Sequence, residues 1–115
     1  MQCINMSIKE NLKRGTVEML VLYLLNTKDM YGYEIAKELS KKSDGLYTLQ
    51  EGTMYSTLYR LIEKGYISDR REYIGERQRR IRVYYHLEPT GLQYLNQTMQ
   101  EYVALTKGID SIING

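Results

Sequence analysis

The sequence predicts a mainly α chain with one small β-hairpin, an α+β fold, on three observations. Apolar residues recur at helical spacing in Ile35, Ala36 and Leu39, in Met54, Leu58, Leu61 and Ile62, and from Leu92 to Ile113. The block MLVLYLL from Met19 to Leu25 is apolar on every side, as a buried helix is. Two strand-like runs, Tyr66 to Tyr73 and Ile81 to Leu87, flank a connection containing Gly75, the pattern of a hairpin. With 115 residues, 43% hydrophobic and 26% charged, the chain supports one core and not two.

Residues 1 to 8 read as a loose arm. A first helix is expected over Lys9 to Leu25, bent at Gly15 and restarted with Thr16 as a cap. A lone small domain rarely surrounds a helix on all sides, so a partner subunit is expected to complete the cover of MLVLYLL. Asn26 to Met30 form a turn, with Asp29 the candidate cap of a second helix from Met30 to Lys42. That helix turns Ile35, Ala36 and Leu39 inward and Lys37, Glu38 and Lys41 outward. Ser43, Asp44 and Gly45 stop it, Gly45 suiting a left-handed C-terminal turn.

Thr48 and Glu51 have the spacing of a capping box, so a third helix begins near them, runs to Lys64 and ends at Gly65. Its inner stripe is Met54, Leu58, Leu61 and Ile62. Its outer side shows Thr53, Ser56, Thr57 and Arg60, with Tyr55 and Tyr59 on the flanks. Small hydroxylated residues let a helix approach base edges and phosphates closely. Every amphipathic helix has a polar side, however, and Arg60 has a local acid partner in Glu63. In the second strand Ile81, Val83 and Tyr85 alternate with Arg82, Tyr84 and His86, so one face packs and the other meets solvent or a ligand.

Pro89 is well placed as the first-turn residue of a long last helix reaching about Ile113. Leu92, Leu95, Met99, Tyr102, Thr106, Ile109 and Ile113 repeat at intervals of three and four, the seam that two paired helices need. The bland alternative is a helix packed on its own domain alone. The surplus apolar surface of the first helix, at Leu20 and Leu24, favours pairing.

The net charge of +2 conceals an uneven distribution, because six arginines face two acids between Arg70 and Arg82. From Arg77 to Arg82 there are four arginines and no acid. A charge run is usually a solvated face. On a hairpin tip beside a polar helix face it points to phosphate. All twelve aromatic residues are tyrosine, each bringing ring area and a hydroxyl that needs a partner.

One cysteine, Cys3, excludes an internal disulfide and a cysteine-rich zinc site. His86 is the single histidine and reads as solvent-facing or locally hydrogen-bonded. These counts, with no glycine-rich phosphate loop, leave no nucleophile-and-base pair and no metal set, so neither catalysis nor a cofactor is expected. The run Met19 to Leu25 is too short to span a bilayer and lacks a cleavage-site pattern, so the expected location is the cytoplasm.

The order helix, helix, helix, hairpin, long helix is that of a winged helix-turn-helix. RGTVEMLVLYLL from Arg14, YGYEIAKEL from Tyr31, EGTMYSTLYRLIEKGYI from Glu51 and RQRRIRVYYHLEPTG from Arg77 together resemble the PadR family of transcriptional regulators. The short C-terminal part is similar to the smaller PadR subgroup, whose single terminal helix makes the dimer. The resemblance implies a winged helix-turn-helix DNA-binding domain over residues 1–88 and a dimerisation helix over residues 89–115. It implies a homodimeric repressor on an inverted-repeat operator, with the third helix in the major groove and the wing on the backbone or minor groove.

Carried over by motif position, Thr53 and Tyr55 face DNA with Ser56 and Arg60 beside them, and Tyr33 and Lys37 lie near phosphate. Arg77, Arg79 and Arg80 form the basic end of the wing. Tyr55 is also read as a ring packed between the third helix and the wing. Leu20, Leu24, Leu92, Leu95, Met99, Tyr102, Ile109 and Ile113 are the dimerisation set. Two departures stand out: Glu76, Arg77 and Gln78 follow Gly75 where many members have adjacent glycines, and Glu88 replaces the usual threonine before the last helix.

Two alternatives to a plain DNA-binding repressor follow. One is a sensor that binds an aromatic or drug-like molecule between subunits and releases DNA, with Met19, Tyr23, Met99 and Tyr102 lining the space. Met and Tyr at helical spacing are more often ordinary core. The other is a protein-interaction module with the fold alone, against which the acid-free arginine run argues.

Overall fold

The computed structural model describes residues 8–115. Cys3 and most of the expected N-terminal arm lie outside the described residues, while Ile8 opens the first helix, α1 (Ile8–Lys13). The break expected at Gly15 is complete. Gly15 adopts φ +90°, and the chain restarts as a separate helix, α2 (Val17–Thr27). Thr16 sits at the N-cap without capping through its side chain; its hydroxyl donates to the Lys13 carbonyl at 2.6 Å and meets the Tyr47 hydroxyl.

The second expected helix starts two residues late. Met30 and Tyr31 form a short strand, β1 (Met30–Tyr31), and only then does α3 (Gly32–Lys42) begin. The reason is tertiary: Met30 is buried, and the pair hydrogen-bonds along the hairpin, which a helical turn would forbid. Asp29 is therefore no cap, since Tyr31 occupies that position and the Asp29 carboxylate binds Arg70 and His86. At the end of α3 the left-handed turn starts one residue early, at Asp44 with φ 52°, and Gly45 follows.

The reading-helix candidate is α4 (Glu51–Glu63), capped by Gln50. The capping box read at Thr48 and Glu51 does not form, because the Thr48 hydroxyl donates back to the Gly45 carbonyl at 3.1 Å. Gly65, at φ +77°, closes α4 as expected. Its N–H reaches the Ile62 carbonyl at 2.9 Å and that of Tyr66 reaches Leu61 at 3.0 Å, the paired bonds of a Schellman turn.

The hairpin strands β2 (Ile67–Ile74) and β3 (Arg80–Leu87) pair antiparallel, and β1 adds to the far side of β3, giving the order β1-β3-β2. Tyr84 is flanked by Tyr31 and Arg70, and Tyr85 by Met30 and Asp69. Tyr85 and Ile67 are buried against the helices, whereas Ile81, expected on the same inward face, is 53% exposed because the wing projects beyond the core there.

The core centres on α2, from which Met19, Val21, Leu22, Leu24 and Leu25 are buried. Elements α3, α4, β3 and the last helix, α5 (Pro89–Asn114), all pack on it. Cover is nonetheless incomplete, with Tyr23 47% exposed and Leu20 only partly buried. Thr57, expected on the outer side of α4, is buried, and its hydroxyl donates to the Thr53 carbonyl at 2.8 Å.

At 26 residues, α5 is about 39 Å long at the usual helical rise. Leu95 is its buried anchor, and every residue from Met99 onward is exposed. The radius of gyration is 16.4 Å, against about 13 Å for a compact chain of this size. The excess is α5 leaving the body of the domain.

The root of α5 is tightly fitted. A Cβ at Gly91 would lie 2.1 Å from the Tyr66 carbonyl oxygen, which already accepts the Glu88 N–H at 2.9 Å. Gly91→Ala is therefore expected to cost roughly 1–3 kcal/mol through a forced backbone shift. Gly52→Ala, in an open part of α4, is expected to gain about 0.5–1 kcal/mol. Thermal melts of the two variants beside the parent check both signs.

Candidate nucleic-acid interface

The start of α3, Tyr55 of α4 and the hairpin line one cleft, while Thr53 and Arg60 of α4 face the junction of α1 and α2. Gly32 opens α3 directly beneath Tyr55 of α4, where a Cβ would lie 3.2 Å from the Tyr55 hydroxyl oxygen. A bare Cα at this position lets the Tyr55 ring lie over α3, and Tyr55 remains half-exposed there. Tyr31, Gly32, Tyr33, Tyr55, Ile81 and Arg82 are among the residues lining the cleft of about 270 Å³ between α3, α4 and the hairpin. Tyr55 thus packs over α3 on one edge and leaves the other exposed in the cleft.

Tyr33 is 71% exposed, its ring stacked on Tyr31 at 6.5 Å between centroids. Lys37 lies exposed one turn further along α3, and Thr53 and Ser56 are exposed on α4. Arg60 is placed differently from expectation. Its acid partner is Glu18 of α2, with Nε donating to Oε2 at 3.2 Å, and not Glu63 of its own helix. The same guanidinium donates to the Ser56 hydroxyl at 3.0 Å and to the Thr57 hydroxyl at 3.4 Å.

Of the six arginines of the hairpin, two hold the sheet together, three stand at its tip, and Arg71 is exposed on β2. Arg70 is ion-paired with Asp29 and, at 2.7 Å, with Glu72. Arg82 lies 4.0 Å over the Tyr31 ring. Both are consumed in holding β1, β2 and β3 together. Arg77, Arg79 and Arg80 are exposed at the tip, and among the described residues none of them makes an ion pair. Gln78, at φ 51°, donates its N–H to the Gly75 carbonyl at 3.0 Å, so the tip is an ordered turn despite having a single glycine.

Asp29 ties the sheet together, accepting from Arg70 of β2 and pairing with Nδ1 of His86 on β3 at 2.8 Å. Sequence reading left His86 with solvent or a local partner; its partner stands 57 residues away. Partial burial pushes the Asp29 carboxyl up, but hydrogen bonds from His86 and Arg70 outweigh it and hold it below the ordinary carboxylate value.

The expected dimerisation residues separate in the same way. Leu24 and Leu95 are already buried within one chain and belong to its core. Leu92, Met99, Tyr102, Ile109 and Ile113 stay exposed, joined by Val103, Leu105 and Ile112, which the seam reading had not included. Met19, placed with Tyr23, Met99 and Tyr102 around a possible ligand, is buried in the core of the single chain.

Residues 21–97 match the transcriptional regulator PadR-like family. The chain belongs to this family. A transcriptional regulator from Clostridium thermocellum is 36% identical and superposes with a TM-score of 0.80, covering 90% of this chain and 98% of the other. A PadR family transcription regulator from Clostridium difficile is 33% identical, with a TM-score of 0.73 over 86% of this chain and 99% of the other. Bacillus subtilis PadR, in a complex with operator DNA, shares the fold at 21% identity and a TM-score of 0.66. That alignment covers 73% of this chain and 47% of the other.

In this PadR-family regulator the depressed Asp29 carboxyl makes stability depend on pH in a defined direction. A group whose folded pKa is lowered stabilises the fold above its unfolded value of 3.8, and that stability is lost as pH falls through the folded value. Asp29→Asn is expected to lower the melting temperature near neutral pH, and the gap to the parent to close below about pH 4. Melting curves of both proteins across that range test it; a gap independent of pH overturns it.

Proposed function

We propose that this PadR-family regulator is a homodimeric repressor that binds an inverted-repeat operator in the cytoplasm. In this reading α4 enters the major groove through Thr53, Tyr55, Ser56 and Arg60. Arg77, Arg79 and Arg80 of the wing grip phosphate, with Tyr33 and Lys37 of α3 on the neighbouring backbone. The observations that carry it are an arginine tip that makes no ion pair among the described residues and an exposed hydroxyl-bearing helix face on α4. Cations without internal acids are free to neutralise phosphate, whereas Arg70 is already neutralised within the fold.

The dimer is supported by the apolar side of α5. Met99, Tyr102, Val103, Leu105, Ile109, Ile112 and Ile113 are exposed along one helix, a continuous surface that a monomeric soluble protein rarely leaves to water. A second copy supplies the same helix, and self-pairing gives a twofold axis that matches a palindromic site. That Bacillus subtilis PadR, a neighbour of this fold, is found in complex with operator DNA supports DNA as the partner.

Each phosphate contact contributes about 0.9 to the slope of log affinity against log salt. Arg79→Ala and Arg80→Ala are expected to weaken binding to every duplex alike and to flatten that slope by about one contact per subunit. Thr53→Ala and Tyr55→Ala are expected to alter sequence preference instead. Anisotropy titrations on selected and scrambled duplexes at several salt concentrations separate the two classes. Equal losses from all four variants on both duplexes contradict the assignment. Tyr102→Glu with Ile109→Glu is expected to yield monomers at micromolar concentration in sedimentation velocity, and a persistent dimer removes α5 as the interface.

A further inference from the structure

We propose that Glu18, on the first turn of α2, is a specificity-determining residue of the DNA interface, acting by holding Arg60 as a fixed fork against a base edge. The proposal rests on the DNA-binding reading above. The Glu18 carboxylate receives Arg60 Nε on one oxygen at 3.2 Å and Lys64 Nζ on the other at 3.5 Å. Ser56 and Thr57, one turn back on α4, hold the other two guanidinium nitrogens at 3.0 and 3.4 Å. All three nitrogens of Arg60 are therefore anchored, on a side chain still 50% exposed. The remaining N–H groups point where the anchors leave them.

Position supports a reading role. Thr53, Ser56 and Arg60 are three and four residues apart and lie along one stripe of α4, so a groove that takes Thr53 and Ser56 passes Arg60. A guanidinium recognises guanine by two parallel hydrogen bonds to O6 and N7, which demands a set orientation. An untethered arginine has many rotamers and meets phosphate as readily as a base.

The acid also suits the first turn of α2, where a carboxylate meets the positive end of the helix. A carboxylate beside DNA repels phosphate whatever the sequence, and so weakens all binding alike. Its pairs add modestly to folding, because the Arg60 and Lys64 side chains are 50% and 45% exposed although Glu18 itself is 20% exposed. Moreover α2 and α4 already pack together, with Leu22, Leu58 and Leu61 buried in the same core cluster. The general repulsion cancels in the ratio of affinities for a preferred and a scrambled duplex, while the loss of an oriented fork does not. The ratio is the quantity to measure.

The test uses the full chain and two duplexes of equal length and composition, one selected by the parent protein from a random pool and one scrambled. Glu18→Gln is expected to lower the selected-to-scrambled ratio about tenfold, the size of one loosened bidentate contact. Its affinity for the scrambled duplex is expected not to fall. Arg60→Lys, which keeps the charge and removes the fork, should lower the ratio similarly, and the double variant should lower it no further. Lys64→Met deletes the other cation on Glu18 and should leave the ratio within about twofold of the parent. Thermal melting confirms that each variant is folded, and Arg60→Lys carries the test alone should Glu18→Gln unfold. An unchanged ratio in Glu18→Gln, additive losses in the double variant, or an equal drop in Lys64→Met overturns the proposal. A parent protein that selects no duplex overturns the DNA-binding reading instead.

Discussion

Burial of α2 is the constraint on which the other elements depend. Val21 and Leu22 are fully buried and Leu24 and Leu25 nearly so; enclosing a helix apolar on nearly every side requires cover from several directions at once. Elements α3, α4, β3 and the root of α5 supply it. Because each must turn an apolar face to the same axis, their outer faces are fixed relative to one another. Tyr55 of α4 and the hairpin then come to line one cleft with the start of α3. The site is a consequence of how that helix is wrapped.

Charge is distributed according to the same geometry. Over the body of the sheet Arg70 is neutralised by Asp29 and Glu72 and Arg82 is stacked on Tyr31, while Arg71 stays exposed. Where the hairpin runs beyond the core, Arg77, Arg79 and Arg80 share the tip with Glu76 and make no ion pair among the described residues. One polypeptide segment thus supplies both the struts of the wing and its free positive end. A net charge of +2 says nothing of this division. The division also explains why the hairpin is rigid enough to aim its tip, since Asp29 links the turn before β1 to both hairpin strands.

What was legible in the sequence was local. Helical periodicity, the break at Gly15, the stop at Gly65 and the alternation in β3 were each readable within a dozen residues, and the order of elements followed from them. Four sequence blocks in order then pointed to the family. What escaped was set by partners far along the chain. Met30 and Tyr31 have no strand signal of their own and become one because β3 offers an edge. Thr57 looks polar and is buried, its hydroxyl satisfied by its own helix. Glu18 and Arg60 stand 42 residues apart, beyond any local spacing rule, which offers Arg60 only Glu63. The seam on α5 was visible, but which of its leucines remain outside the core depended on how far α2 reaches. Periodicity cannot separate Leu95, buried in its own chain, from Ile109, left outside it.

The root of α5 connects these two halves of the molecule. Thr90 donates to the Gly65 carbonyl at 2.7 Å, where α4 ends. Ser68, at the start of β2, donates to Glu88 at 2.6 Å, and the rings of Tyr66 and Tyr94 stack at 4.5 Å between centroids. With Gly91 pressed on the Tyr66 carbonyl, four short links bind the end of α4, the base of the wing and the first two turns of α5. The acid at position 88, where the family resemblance led to a threonine, is engaged in this joint and so has a structural use. A joint of this kind fixes the angle between α4 and the exposed length of α5. If two copies pair through α5, the separation of their reading helices is then set within each chain and not by a flexible hinge. Half-site spacing becomes a property of the joint, because closely packed groups shift between discrete arrangements rather than bending continuously.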